Sequence, residues 1–212
     1  MITATTGAII LLVIFYFLTS LNSYLFPIKS INTISSYWLA FTVLTGIWEV
    51  CYIRNYLNVY NYSLKLIKNK QHVWNTKYNI TMLLPWNFAR IFYAEYGAHA
   101  DREYISLTNN WSRVVEGTHC VFCGCFALFG LITNMLNLQR LFSIFIAISM
   151  GTQLVNSLMY MDEYFIQLTD INNSNHNSNS FPSGKLLSKR PFMWINIFWT
   201  VMPIIVLTSL IF

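Results

Sequence analysis

Charge is what this sequence has least of. Only 10% of its 212 residues are Asp, Glu, Lys or Arg, against 55% hydrophobic and 17% aromatic. Soluble domains carry about 25% charged residues, so the composition argues against a water-soluble domain and for an integral membrane protein. Regular apolar–polar alternation is also missing, which excludes a β-barrel and leaves a helical bundle as the architecture that satisfies the backbone in lipid. The first apolar run has no basic residues ahead of it and no small-residue cleavage site. It therefore reads as a retained helix rather than a signal peptide. Cysteine is scarce, and Cys51, Cys120, Cys123 and Cys125 all fall inside apolar runs. Cys120-x-x-Cys123 has the spacing of a redox or metal dyad, but small apolar side chains in a membrane helix are the simpler reading.

What is present is a set of five apolar segments, each near the ~20 residues a bilayer requires. They lie at about 8–26, 37–56, 113–136, 141–160 and 192–212. The expected fold is all-α: a polytopic membrane protein, a five-transmembrane-helix bundle forming a single membrane domain over 1–212. The net charge of +5 does not point to nucleic acid, because the basic residues are spread over loops. Lys65, Lys68, Lys70, Lys77, Arg90, Arg102, Lys185, Lys189 and Arg190 would share one side, with Lys29 and Arg140 opposite. By the positive-inside rule the amino terminus and both long loops face the cytosol.

The segments between the spans carry their own signals. Pro27 and the Ser30–Ser36 stretch read as a turn. LKLIKNKQHVWNTKYN is basic and polar and reads as a solvated surface touching anionic headgroups. LLPWNFARIFYAEYG reads as a short interfacial helix starting near Pro85. Glu95, Asp101, Arg102 and Glu103 follow, a set that surface ion pairing would explain. Asp170–Ser183 is rich in Asn and Ser and reads as a loop.

Polar groups inside the apolar runs are the functional candidates, because a carboxylate at membrane depth is expensive unless it faces a partner or a cavity. Glu116 lies about one turn inside the third run, with His119 three residues on and on the same face. Glu49 lies within the second run, with Thr45 one turn before it. Gln153, Asn156, Ser157 and Tyr160 form a polar stripe in the fourth run. The fifth holds Asn196, Trp199 and Pro203, which cannot donate the helical hydrogen bond to the Trp199 carbonyl. Brought together, Glu49, Glu116, His119, Gln153, Asn196 and Trp199 would make one buried pocket. Two carboxyls in low dielectric would titrate apart, one protonated and one ionised, which suits moving a proton onto and off an apolar molecule. An indole face stabilises positive charge, by ~2 kcal/mol when desolvated. A metal centre needs more ligands than the Glu116–His119 pair provides, and no metal or cofactor is expected.

Glu49 in the second helix, the approach from Glu95 to Tyr104, Glu116 entering the third, and Asn196-x-x-Trp199-x-x-x-Pro203 in the fifth resemble the emopamil-binding protein family. This EXPERA-domain group includes 3β-hydroxysteroid Δ8,Δ7-isomerase, and the resemblance covers about residues 40–207. It implies a multi-pass endoplasmic reticulum membrane protein with an intramembrane sterol cavity, and an activity in sterol biosynthesis. In the isomerase, C9 of the sterol is protonated, a cation forms at C8 and a C7 proton is lost. On the matching positions Glu49, Glu116 and His119 would be catalytic. Thr45, Trp199, Asn196, Gln153 and Tyr160 would bind substrate, Trp199 facing the cation and Asn196 orienting a carboxylate. A sterol partner, cationic amphiphiles as inhibitors and a homodimer are within the same expectation. The alternative is a non-catalytic sterol or cationic-amphiphile binding protein of the same family. A transporter reading is weaker, since no inverted repeat is visible.

One departure is informative. The isomerases carry histidine four residues before the helix-2 glutamate, where this chain has Thr45, and threonine three residues after the helix-3 glutamate, where it has His119. The paired change suggests that imidazole and hydroxyl have exchanged helices, leaving the pocket one of each.

Overall fold

The computed structural model describes residues 1–108, 110–167 and 191–211. Among the described residues there are seven helices and one two-stranded bridge. Helix α1 is Ala4–Leu25, α2 Thr33–Arg54, α3 Tyr56–Asn69 and α4 Pro85–His99. Helix α5 runs over Trp111–Met135 with a π-helical stretch at His119–Cys125, α6 is Gln139–Gln167 and α7 Pro191–Ile211. Strand β1 (Ile2–Thr3) pairs antiparallel with β2 (Lys77–Tyr78). Four helices, α1, α2, α5 and α6 (up to Asp162), are long and apolar enough to cross a membrane. Ile195–Ile211 of α7 is a shorter apolar helix.

Local chemistry sets the boundaries. Thr3 caps α1 by accepting from the Thr6 amide, and Asn32 caps α2 by accepting from Ser35. That cap starts α2 four residues earlier than the apolar run alone suggests, so much of the Ser30–Ser36 stretch is helix and Ser35 is buried. Pro85 opens α4, where its missing N–H costs nothing. Lys70 and Asn137 adopt positive φ (52° and 58°) to end α3 and to turn from α5 into α6.

The segment between the second and third spans is more structured than its composition suggests. Tyr56, Val59, Ser63 and Leu66 are buried along one face of α3, at helical spacing. Helices α3 and α4 pack on each other and on the last turns of α2. Together with β2 they form a cap beside the bundle, whose core includes Tyr52, Phe88, Tyr93 and Tyr104. A second core, around Leu39, Phe142, Ile146 and Val206, joins α2, α6 and α7. Asp101 and Glu103, expected at the surface, are buried, as is Glu95.

Helix α2 is central and meets α5 at Gly46 and Gly124. A Cβ on either glycine would sit 3.1 Å from the other's Cα, so the two backbones touch. This close crossing sets the depth at which α2 and α5 can exchange side chains one turn away. By contrast α1 exposes Leu12, Val13, Phe17 and Leu18 along most of its length, as a lipid-facing helix would. The 168–190 segment, including the Asn/Ser-rich stretch, lies outside the described residues.

Candidate functional site

A cavity of about 700 Å³ opens between α2, α4, α5, α6 and α7. All eight residues singled out in the sequence, Thr45, Glu49, Glu116, His119, Gln153, Tyr160, Asn196 and Trp199, line it. Its volume falls in the roughly 300–1,000 Å³ range of small-molecule sites.

Glu49 comes from α2 and His119 from the first residue of the π-helical stretch of α5. A π bulge rotates the residues that follow it relative to a regular helix, a distortion often found at functional positions. Here His119 Nδ1 lies 2.6 Å from Glu49 Oε1, with both side chains almost fully buried. The imidazole is turned slightly out of line, so the contact is an ion-pair distance rather than a well-directed hydrogen bond.

Gln153 fixes which imidazole nitrogen carries the proton. The Trp38 indole N–H donates to Gln153 Oε1 at 2.8 Å, which assigns the amide orientation. The Gln153 NH2 then points at Thr42 Oγ1 (3.3 Å) and at His119 Nε2 (2.9 Å). An NH2 group can only donate, so Nε2 must accept, and the ring proton sits on Nδ1 facing Glu49. The chain Trp38–Gln153–His119–Glu49 therefore orients the imidazole toward the carboxyl.

Glu116 is held from the cap. Tyr93 Oη donates to its Oε2 at 3.1 Å, and Tyr104 Oη donates to Oε1. Burial first, and the Glu116 carboxyl second, push both phenol groups well above the usual tyrosine range, so both remain protonated donors. Glu116 also reaches the carboxyl of Glu49. Glu49 Oε2 is otherwise a buried oxygen without a donor. Two ionised carboxylates in contact repel; one proton between them supplies the missing donor and turns the contact into a hydrogen bond.

The remaining residues form the walls. Trp199 meets the His119 ring edge-to-face at 5.0 Å and lies 5.0 and 5.6 Å from Trp38 and Phe41. This cluster lines the cavity against His119, the residue that contacts Glu49. Thr45 spends its hydroxyl on the Phe41 and Thr42 carbonyls, both at 3.1 Å. Tyr160 donates to the fully buried Asp101 at 2.9 Å and meets Tyr96 Oη at 3.0 Å. The Asn196 side chain reaches the Tyr96 hydroxyl. Asn156 and Ser157 complete the polar stripe of α6 along the cavity.

Sequence reading did not single out Tyr93, Tyr104 or Trp38 as site residues. Trp38 carried a usable signal, since Trp38, Phe41, Thr45 and Glu49 follow each other at three- and four-residue spacing on one face of α2. The phenols carried none, because their contact with Glu116 depends on how the cap folds back on the bundle. Comparison with known proteins finds no matching family model, no matching curated protein and no matching solved structure.

Proposed function

We propose that the chain is a sterol Δ8,Δ7-isomerase, a five-span protein of the endoplasmic reticulum membrane with its sterol held in the cavity described above. The observation that carries the reading is the joined Glu49–Glu116–His119 cluster, set in a largely apolar, aromatic-walled cavity. A sterol is apolar and must be protonated on carbon, and the intermediate cation must be kept from water. The Glu49–Glu116 pair holds one proton to give. Transfer to C9 uses the π electrons of the C8–C9 double bond and leaves a cation at C8. The pair then carries two negative charges, and with Trp199 it stabilises that cation. Loss of a C7 proton to a carboxylate of the pair forms the C7–C8 double bond and restores the single shared proton, while the His119 Nδ1–H faces Glu49.

His119 supports this assignment in a specific way. It brings an imidazole to Glu49 from α5, whereas a histidine at position 45 would have come from α2 itself. The His119–Glu49 contact supports the exchange inferred from the sequence, and Thr45 is left with its hydroxyl satisfied by backbone. The test is the sterol composition of an isomerase-deficient yeast strain expressing the chain. Δ7 sterols are expected with the native protein and not with Glu116→Gln at equal expression. Persistent Δ8 sterol with the native protein would favour the non-catalytic binding reading.

A further inference from the structure

A second cluster sits at the rim of the same cavity, on the cap rather than in the bundle. Glu95 and His99 lie one turn apart on α4, and His72 comes from the turn that follows α3. Among the described residues, these are the only three His, Cys, Asp or Glu side chains to bring one ligand atom each within 4.8 Å of one another. Each is already aimed by a neighbour. Glu95 Oε2 accepts the Val73 amide at 3.0 Å, which leaves Oε1 facing His72 Nδ1 at 2.6 Å. His99 Nε2 lies 2.9 Å from the Gln71 carbonyl and must donate to it, which leaves the Nδ1 lone pair as the one a cation can take. The two imidazole rings lie 4.1 Å apart, centre to centre. One imidazole oriented by a carbonyl, beside a carboxylate oriented by an amide, is the supporting arrangement of metal ligands.

We propose that His72, Glu95 and His99 form a binding site for a divalent transition metal, with zinc the expected ion. Two imidazoles and one carboxylate suit zinc and disfavour magnesium or calcium, which prefer oxygen. Bonds of about 2.0–2.1 Å in a tetrahedron place ligand atoms roughly 3.3 Å apart. Binding therefore opens the 2.6 Å His72–Glu95 contact and draws the third ligand in, with water completing the shell. The ion would act as a clamp. The turn that carries His72 also binds the start of α1, through Thr5 to the Trp74 carbonyl (3.2 Å) and Ala4 to the Thr76 carbonyl (3.2 Å). Fixing that turn to α4 ties α1 and the cap together at the cavity rim, where Trp74, Glu95 and His99 are lining residues.

The test uses the tag-free full chain in detergent, stripped with chelator and titrated with Co²⁺ and Zn²⁺. One equivalent per chain is expected, with the visible absorption of tetrahedral Co²⁺ and a rise in thermal midpoint on adding Zn²⁺. His72→Ala and Glu95→Gln, which keeps an acceptor for the Val73 amide, should each weaken binding at least 10-fold and abolish the Zn²⁺ effect on the midpoint. The Cys120→Ser/Cys123→Ser double variant should bind as the native chain does. Absence of stoichiometric binding in the native chain, or binding that survives both His72→Ala and His99→Ala, would overturn the proposal.

Discussion

The cavity has a histidine–glutamate contact at each end, and the two are nearly identical in length. His119 Nδ1 and Glu49 Oε1 are 2.6 Å apart in the bundle, and so are His72 Nδ1 and Glu95 Oε1 at the rim. Their surroundings differ. The inner pair is 7% and 5% exposed, whereas His72 is 52% exposed and Glu95 10%. At the rim, solvent around the half-exposed His72 screens the interaction, and such pairs contribute about 0–1 kcal/mol. In the bundle each partner is surrounded by groups that fix its proton: Gln153 for His119, and Glu116 with its two phenols for Glu49. In the proposed roles, the same two side chains serve as a proton-handling centre in one place and an open ligand set in the other. Depth and supporting partners decide which.

The comparison can be broken most forcefully at the inner end. Glu116→Gln and Glu49→Gln should each lower Δ8-to-Δ7 conversion about 10²–10⁴-fold while sterol binding persists, as measured by turnover and equilibrium binding in detergent. In the proposed mechanism the two share one proton, so the double variant should be little worse than the poorer single, and multiplicative losses would refute the shared-proton arrangement. Next in size is the imidazole. His119→Ala should cost about 10²-fold, and adding His to the other helix, as Thr45→His with His119→Thr, should recover most of the loss. A dead exchange variant, with native activity no better than His119→Ala, would remove the swapped-helix explanation.

Trp199→Ala removes an indole worth ~2 kcal/mol to a desolvated cation, so a roughly 30-fold fall in turnover is expected, with a smaller fall for Trp199→Phe. The smallest effect belongs to the rim. In metal-free protein His72→Ala should change thermal stability by less than about 1 kcal/mol and leave conversion within a few-fold of native. A loss comparable to that of Glu49→Gln would show that exposure does not separate the two pairs.

Much of this organisation was legible in the sequence, for physical reasons that differ by residue. The spans stand out because lipid demands long apolar runs, and Glu49, Glu116 and His119 stand out because such runs rarely carry titratable groups. Helix α3 was hidden because asparagines and lysines interrupt its apolar residues and its last turns run into a basic stretch, although Tyr56, Val59, Ser63 and Leu66 keep a helical period. Asp101 and Glu103 look like surface charges because their burial depends on how the cap folds against the bundle. Asp101 is satisfied by Tyr160, and Ser112 donates to the Glu103 carbonyl at 2.8 Å. His72 and Glu95 are joined across an irregular turn, where no periodicity links one to the other. The tautomer of His119 lay beyond sequence altogether, since it follows from an indole on α2 orienting an amide on α6.

The central claim is that the Glu49–Glu116 pair places a proton from solvent on a sterol carbon. The most direct measurement is conversion of a Δ8 sterol by the purified protein in D2O, with the product read by mass spectrometry and deuterium NMR. One deuterium at C9 of the Δ7 product, absent with Glu116→Gln, is the expected result. A bound sterol that is not converted, or a double bond that moves without taking up deuterium, would contradict it.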